Sequence, residues 1–193
     1  MKKDYIADKT FKNIDGKKTT LHKAGYENCR FVHCDLSNFN LTEYRFINCT
    51  FETCDLSLAN LSLTTFRDAE FRDCKMLGMQ FDNCNDFGLA FSFDNCILDH
   101  SSFYKTKICK TIFRRSQLHE TDFTECDLTG SVFDDCSLAR AIFHKTNLEK
   151  CDFRNSRNYT IDPENNRIRK AKFAFPGVAG LLDKYDILLD GKD

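Results

Sequence analysis

Eleven cysteines and five histidines are the residues of this 193-residue chain whose types could do chemistry. Thiolates and imidazoles bind metals, form disulfides or act as nucleophiles when their spacing brings them together. The spacing here argues against each use. No C-x-x-C occurs, and the nearest cysteines, Cys29 and Cys34 or Cys49 and Cys54, lie five residues apart. A disulfide scaffold belongs to short secreted chains. This chain is longer, has an odd cysteine count, and starts MKKDYIADKTFKN, which lacks the apolar region of a signal peptide. His22, His33, His100, His119 and His144 are scattered. No G-x-G-x-x-G, Walker-type loop, H-E-x-x-H or G-x-S-x-G is present. The expectation is a non-enzyme with no catalytic, cofactor-binding or metal-binding residues. No apolar run approaches the ~18 residues of a membrane span, so the expected location is the cytoplasm.

The interval of five is the organising feature, and it positions every other residue. Large apolar residues recur with that period from Phe31 to Phe81, slip by two, and resume from Phe93 to Phe153. Neither the helical period of 3.6 nor the strand period of 2 fits. The position two before each large residue is small, as at Cys34, Cys54, Ala59, Thr64, Cys96 and Ser131. Ten of the eleven cysteines occupy it or its continuation at Cys84, and only Cys109 does not. The cysteines therefore read as small buried hydrophobes, with redox or metal roles as the lesser alternative. Sequons such as Asn40-Leu41-Thr42 and Asn60-Leu61-Ser62 are products of the same repeat.

CDLSN at 34–38, CDLSL at 54–58, ANLSL at 59–63, TDFTE at 121–125, CDLTG at 126–130 and TNLEK at 146–150 resemble the A-(D/N)-L-x-x consensus of pentapeptide-repeat proteins. The resemblance covers roughly residues 24–157. It implies an all-β fold, a right-handed quadrilateral β-helix with four units per coil. Sorting by 20, with the slip allowed, gives a first column of Phe31, Phe51, Phe71, Phe93, Phe113, Phe133 and Phe153. A second column holds Leu36, Leu56, Met76, Leu98, Leu118 and Leu138. A third runs Leu41, Leu61, Phe81, Phe103, Phe123 and Phe143. A fourth runs Phe46, Phe66, then Ile108, Leu128 and Leu148. Like stacks on like, and these side chains form the expected core. About seven coils, stacked ~4.8 Å apart, give a rod on the order of 30–35 Å long.

Three regions depart from the pattern. Residues 1–23 are lysine-rich, with Ile6, Phe11 and Leu21 as the makings of an irregular first coil or cap. The repeat domain spans 24–158 and is interrupted at 84–92. There Asp86 falls on an inward position, so a bulge at Asn85, Asp86, Phe87 and Gly88 is expected, with Phe87 turned in. The bulge is either a tolerated insertion or a projecting contact loop. Beyond 159, Ala171, Phe173 and Phe175 alternate as in a short strand, and Pro176 suits the first turn of a helix. Val178, Leu181, Leu182 and Tyr185 follow at helical spacing, then Ile187, Leu188 and Leu189. Residues 159–193 thus form a cap, a dimerisation segment, or both.

Formal net charge is −1, which carries no whole-chain signature of direct nucleic-acid binding. Charge is nevertheless uneven. Residues 24–100 hold five Lys/Arg against twelve Asp/Glu, and residues 101–157 ten against eight. The acidic half is either a solvated surface or an imitation of duplex phosphate. The exit segment Ile161–Ile168 and the apolar C-terminus also resemble the Qnr-type quinolone-resistance and microcin-immunity members. That resemblance implies a homodimeric, DNA-mimicking partner of DNA gyrase and topoisomerase IV, with longer loops than this chain has. The alternatives are an adaptor solenoid with another protein partner, or a self-immunity protein against a gyrase-directed toxin.

Overall fold

A computed structural model describes residues 5–19 and 21–188. Eleven strands of three or four residues appear among them: β1 (Tyr5–Ala7), β2 (Thr10–Lys12), β3 (Gly25–Glu27), β4 (Arg30–Val32), β5 (Arg45–Ile47), β6 (Thr50–Glu52), β7 (Thr65–Arg67), β8 (Ala69–Arg72), β9 (Phe91–Asp94), β10 (Ile112–Arg114) and β11 (Val132–Asp134). All pair in parallel, in the orders β1-β3-β5-β7 and β2-β4-β6-β8-β9-β10-β11. The register step is 20 residues, as in Phe31↔Phe51 and Phe113↔Phe133, and 22 across the slip, as in Phe71↔Phe93. Isolated bridges such as Asp35↔Asp55, Asn40↔Asn60 and Asp127↔Asn147 carry the remaining sides. The result is a parallel β-solenoid of twenty-residue coils. Its in-register stack begins at Tyr5, so the segment expected to be irregular supplies β1 and β2.

Each unit position has a physical task. The central Phe or Leu points inward, and all thirteen residues of the first and second columns are at most 1% exposed. The Asp or Asn before it accepts the amide two residues on. Asp35 Oδ1 takes the Ser37 amide at 3.0 Å and Asn60 Oδ1 the Ser62 amide at 3.0 Å, an Asx turn that starts the corner in units that carry Asp or Asn there. Two residues after the central one the chain turns with positive φ, as at Asn38, Glu43, Asn48, Thr53, Leu58 and Leu63.

The small position does more than save space. At many of these positions a thiol or hydroxyl donates to the carbonyl of a central residue 23 earlier, while Thr106 and Thr111 donate to the one three earlier. Cys54 Sγ reaches Phe31 O at 3.4 Å, Thr64 Oγ1 reaches Leu41 O at 2.7 Å, and Thr146 Oγ1 reaches Phe123 O at 2.8 Å. Inward-facing carbonyls at the corners are thereby satisfied. Burial holds the Cys49 thiol up at about 11, and those of Cys126, Cys136 and Cys151 at about 12. They are protonated donors rather than nucleophiles.

In the first column the rings run parallel from Phe11 to Phe173, at centroid spacings of 4.8–5.5 Å and interplanar angles of 3–14°. Their neighbours change along the rod. Before the interruption the fourth side supplies Tyr26, Phe46 and Phe66, which meet the first column edge-on, as in Phe31–Phe46 at 84°. From Phe81, just before it, onward the third side supplies the rings, Phe81, Phe103, Phe123 and Phe143, as in Phe113–Phe123 at 82°. The fourth side then carries Ile108, Leu128 and Leu148.

Candidate interaction surface

The interruption follows from the loss of one fourth-side residue between Phe66 and Ile108. A short 3₁₀ turn at Phe81–Asn83 leads into it. The Phe87 amide then donates to Asn85 Oδ1 at 3.0 Å, and Gly88 turns with φ of 71°. Phe87 does not turn in, contrary to the expectation of a bulge that replaces Asp86 with it, for it is 72% exposed. The core is completed by Leu89 and by Phe91, whose ring contacts Phe81, Phe93 and Phe103 at 5.2, 5.1 and 5.9 Å. Phe91 stands at a small-residue position, paired with Ala69 of the coil before. Sequence reasoning passed over it because its size does not suit that position. The vacancy on the fourth side provides the room.

The Phe87 ring is held outside by Arg67, whose guanidinium carbon lies 5.0 Å from the ring centroid. Arg67 Nε is buried with no hydrogen-bond partner among the described residues. A Cβ on Gly88 would stand 3.1 Å from that nitrogen, so the turn needs glycine for its φ and for this close approach. Leu63, 60% exposed, donates its amide to Asn83 O at the foot of the loop. The bulge residues Asn85, Asp86, Phe87 and Gly88 thus present an exposed aromatic ring backed by a cation.

The C-terminus departs from expectation in a second way. Residues 171–175 form no strand. Lys172 bridges Asp152 and Phe173 stacks on Phe153, so Ala171 and Phe173 are the small and large positions of one more unit. Phe175 is then a corner residue and 92% exposed. Pro176–Leu181 and Asp183–Tyr185 are 3₁₀ turns rather than one α-helix. They close over the last ring, with Leu181 packed on the core and Val178 and Leu182 half-buried. Gly177 and Gly180 lie so close to Tyr159 that a Cβ on either would overlap it. The Ile161 amide donates to Gly180 O at 3.0 Å. Lys184 ties the cap to the exit segment at 2.6 Å from Asp162 and 2.5 Å from Glu164. Those hydrogen bonds hold both carboxyls below their ordinary range and the Lys184 ammonium above its own. Tyr185, Ile187 and Leu188 are exposed, as is Phe175, and Leu189 lies outside the described residues.

Charge is separated along the rod. Residues 5–100 hold ten Lys/Arg against fourteen Asp/Glu, a balance of −4, and residues 101–175 hold fourteen against ten, a balance of +4. No cluster of three or more potential metal ligands occurs among the described residues. Nor is any helix there long and apolar enough to cross a membrane.

Parallel coils of five-residue units with inward large and small columns define a pentapeptide-repeat solenoid. The family profile for the pentapeptide repeat region matches residues 24–92 and 89–160, and the chain belongs to that family. Its fold is similar to QnrB1, described as a plasmid-mediated fluoroquinolone resistance protein. One trypsin-treated variant of QnrB1 superposes with a TM-score of 0.64 at 18% identity, covering 97% of this chain and 100% of that one. A second gives 0.65 at 18%, covering 94% and 99%. Full-length QnrB1 gives 0.57 at 17%, covering 95% and 100%. No curated protein sequence matches the chain significantly.

Proposed function

We propose that this chain is a non-enzymatic interaction protein of type II topoisomerases, occupying their DNA-binding surface and protecting them from quinolones or other gyrase poisons. The observation that carries the reading is the acidic N-terminal half of a rod whose fold is similar to QnrB1 along nearly its whole length. A stack of coils ~4.8 Å apart lays out surface carboxylates at a fixed pitch, and an anionic rod competes for a groove built for phosphates. The Asn85–Gly88 loop is its contact point. Phe87 and Arg67 are of the residue types enriched in interface cores, and their stacked arrangement reduces the freedom lost on docking. The exposed Phe175, Ile187 and Leu188 form the contact between two copies, giving a homodimer joined at the C-terminal caps.

The test is supercoiling by purified DNA gyrase in the presence of ciprofloxacin, with and without this protein. Restored supercoiling, or inhibition at higher protein concentration, is expected. Neither effect over a wide concentration range would remove the topoisomerase reading and favour an adaptor solenoid with another partner. Light scattering on the intact chain is expected to give a dimer.

A further inference from the structure

On the other three corners of the rod most charged side chains meet an opposite charge, Lys145 being an exception among the described residues. After the second side, His100 Nδ1 lies 3.1 Å from Glu120 and Arg140 pairs with the same carboxylate. After the third, Lys23 lies 2.6 Å from Glu43 and Lys105 3.7 Å from Glu125. After the first, Arg115 holds Asp94 at 2.7 Å and Arg157 holds Asp135 at 2.8 Å.

The fourth corner differs. In the N-terminal half it carries Asp8, Asn28, Asn48 and Asp68. Beyond Gly88 it carries Lys110, Gly130, Lys150 and Lys170, each with φ of 60–73° and therefore one per coil. The three lysines are exposed, with no acidic partner among the described residues. The nearby acids are engaged elsewhere: Asp127 with Thr129 and Asn147, Glu149 with Arg167, Asp152 with Arg154 and Lys172. Gly130 leaves no gap in the row. The Lys110 Cγ lies 3.6 Å from where a Gly130 Cβ would stand, so the Lys110 stem leans toward Lys150. Like charges in register repel. The backbone does not require lysine here, since Glu120, Glu125 and Asp135 adopt the same conformation at other corners.

We propose that this corner is a docking strip for the phosphodiester backbone of duplex DNA. Lysine ammonium groups bind phosphate as compact point charges and need no fixed bidentate geometry. The lysines lie in a straight line, with Lys150 and Lys170 ~4.8 Å apart along the rod. None of the corner residues is aromatic, so the strip has no platform for bases, and its contacts are independent of sequence. The net charge of −1, from which no direct nucleic-acid contact is expected, averages two oppositely charged halves. The strip is independent of the topoisomerase reading, since it uses the opposite half and the opposite charge.

The test is fluorescence anisotropy of a labelled duplex of about 20 base pairs with the full chain, between about 50 and 200 mM salt. Three phosphate contacts give an expected slope of log K against log salt of about −3. Lys110→Gln/Lys150→Gln/Lys170→Gln is expected to lose at least about tenfold in affinity at the lowest salt and most of that slope. Lys105→Gln/Arg140→Gln/Arg157→Gln changes the charge equally but on the paired corners, and is expected to cost less than about threefold. The strip variant is expected to melt no lower than the unaltered chain, which separates lost binding from lost folding. Equal losses in the two variants would overturn the proposal. So would no DNA binding at the lowest salt, or competition by polyglutamate as effective as that by unlabelled duplex.

Discussion

The halves of the rod on either side of the loop at 84–90 solve one packing problem in two ways. Both stack rings on the first side. Before the loop the second row of rings stands on the fourth side, with Leu41 and Leu61 opposite; after it the rings stand on the third side and Ile108, Leu128 and Leu148 take the fourth. Strands follow the rings in the first half, on two sides. In the second half only the first side keeps them, and the other sides turn through hydrogen-bonded corners such as Thr106 N to Phe103 O at 3.1 Å. Charge reverses at the same point. The interruption is therefore a junction between two rod segments, and Phe91 is its filler.

The largest expected effect breaks that junction. Phe91→Ala should cost about 3–5 kcal/mol in urea denaturation, as large-to-small changes in a dry core do. Phe87→Ala, four residues away, should stay within about 0.5 kcal/mol. The reverse ranking would mean that Phe87 is the inward residue. Next, Ile108→Phe would place a ring on the fourth side where the third already has one, and overpacking should cost about 1–3 kcal/mol. A gain would show that the two packings are interchangeable. Smaller still, Leu63→Asn replaces an exposed leucine at φ of 55° with a residue that tolerates this region. It should stabilise the first half by up to about 1 kcal/mol, read as a raised urea midpoint.

The smallest effect is at the cap. Asp162 and Glu164 have folded pKa values below their unfolded ones. Their contribution is complete above the unfolded carboxylate range of about 4 and lost as pH falls through the folded values. The Lys184 value is raised, so its contribution is complete below about 10.4 and lost as pH rises through the folded value. Hydrogen exchange at the Ile161 amide should reveal cap opening below about pH 4 first, while amides within β10 remain protected. Uniform loss along the rod would show that the cap is not a separate latch.

Most of the fold is legible in the sequence, because a five-residue period leaves few ways to bury Phe and Leu without exposing them at the next coil. The columns, the inward cysteines and the twenty-residue register all follow from it. The misreadings share one cause. At Ala171, Phe173 and Phe175 the small-large-corner spacing of a unit looks like the alternation of a strand, and only the coil below decides between them. At the loop, phase puts Asp86 inward, and the neighbouring Phe87 looks like its replacement because the sequence shows neither the vacancy that Phe91 fills nor Arg67 stacked on the outer ring. The donor role of the small column is likewise invisible without the carbonyl 23 residues back. Surface function is the least legible, since the corner lysines follow the same period as the core.

On the function proposed above, the acidic half occupies the DNA-binding surface of a type II topoisomerase. Displacement of a labelled duplex from DNA gyrase tests it most directly. The intact chain is expected to displace the duplex, and a variant with Asp8, Glu27, Asp68 and Asp82 changed to the corresponding amides to do so at least about tenfold less well. Equal displacement by both proteins, or none by either, would contradict it.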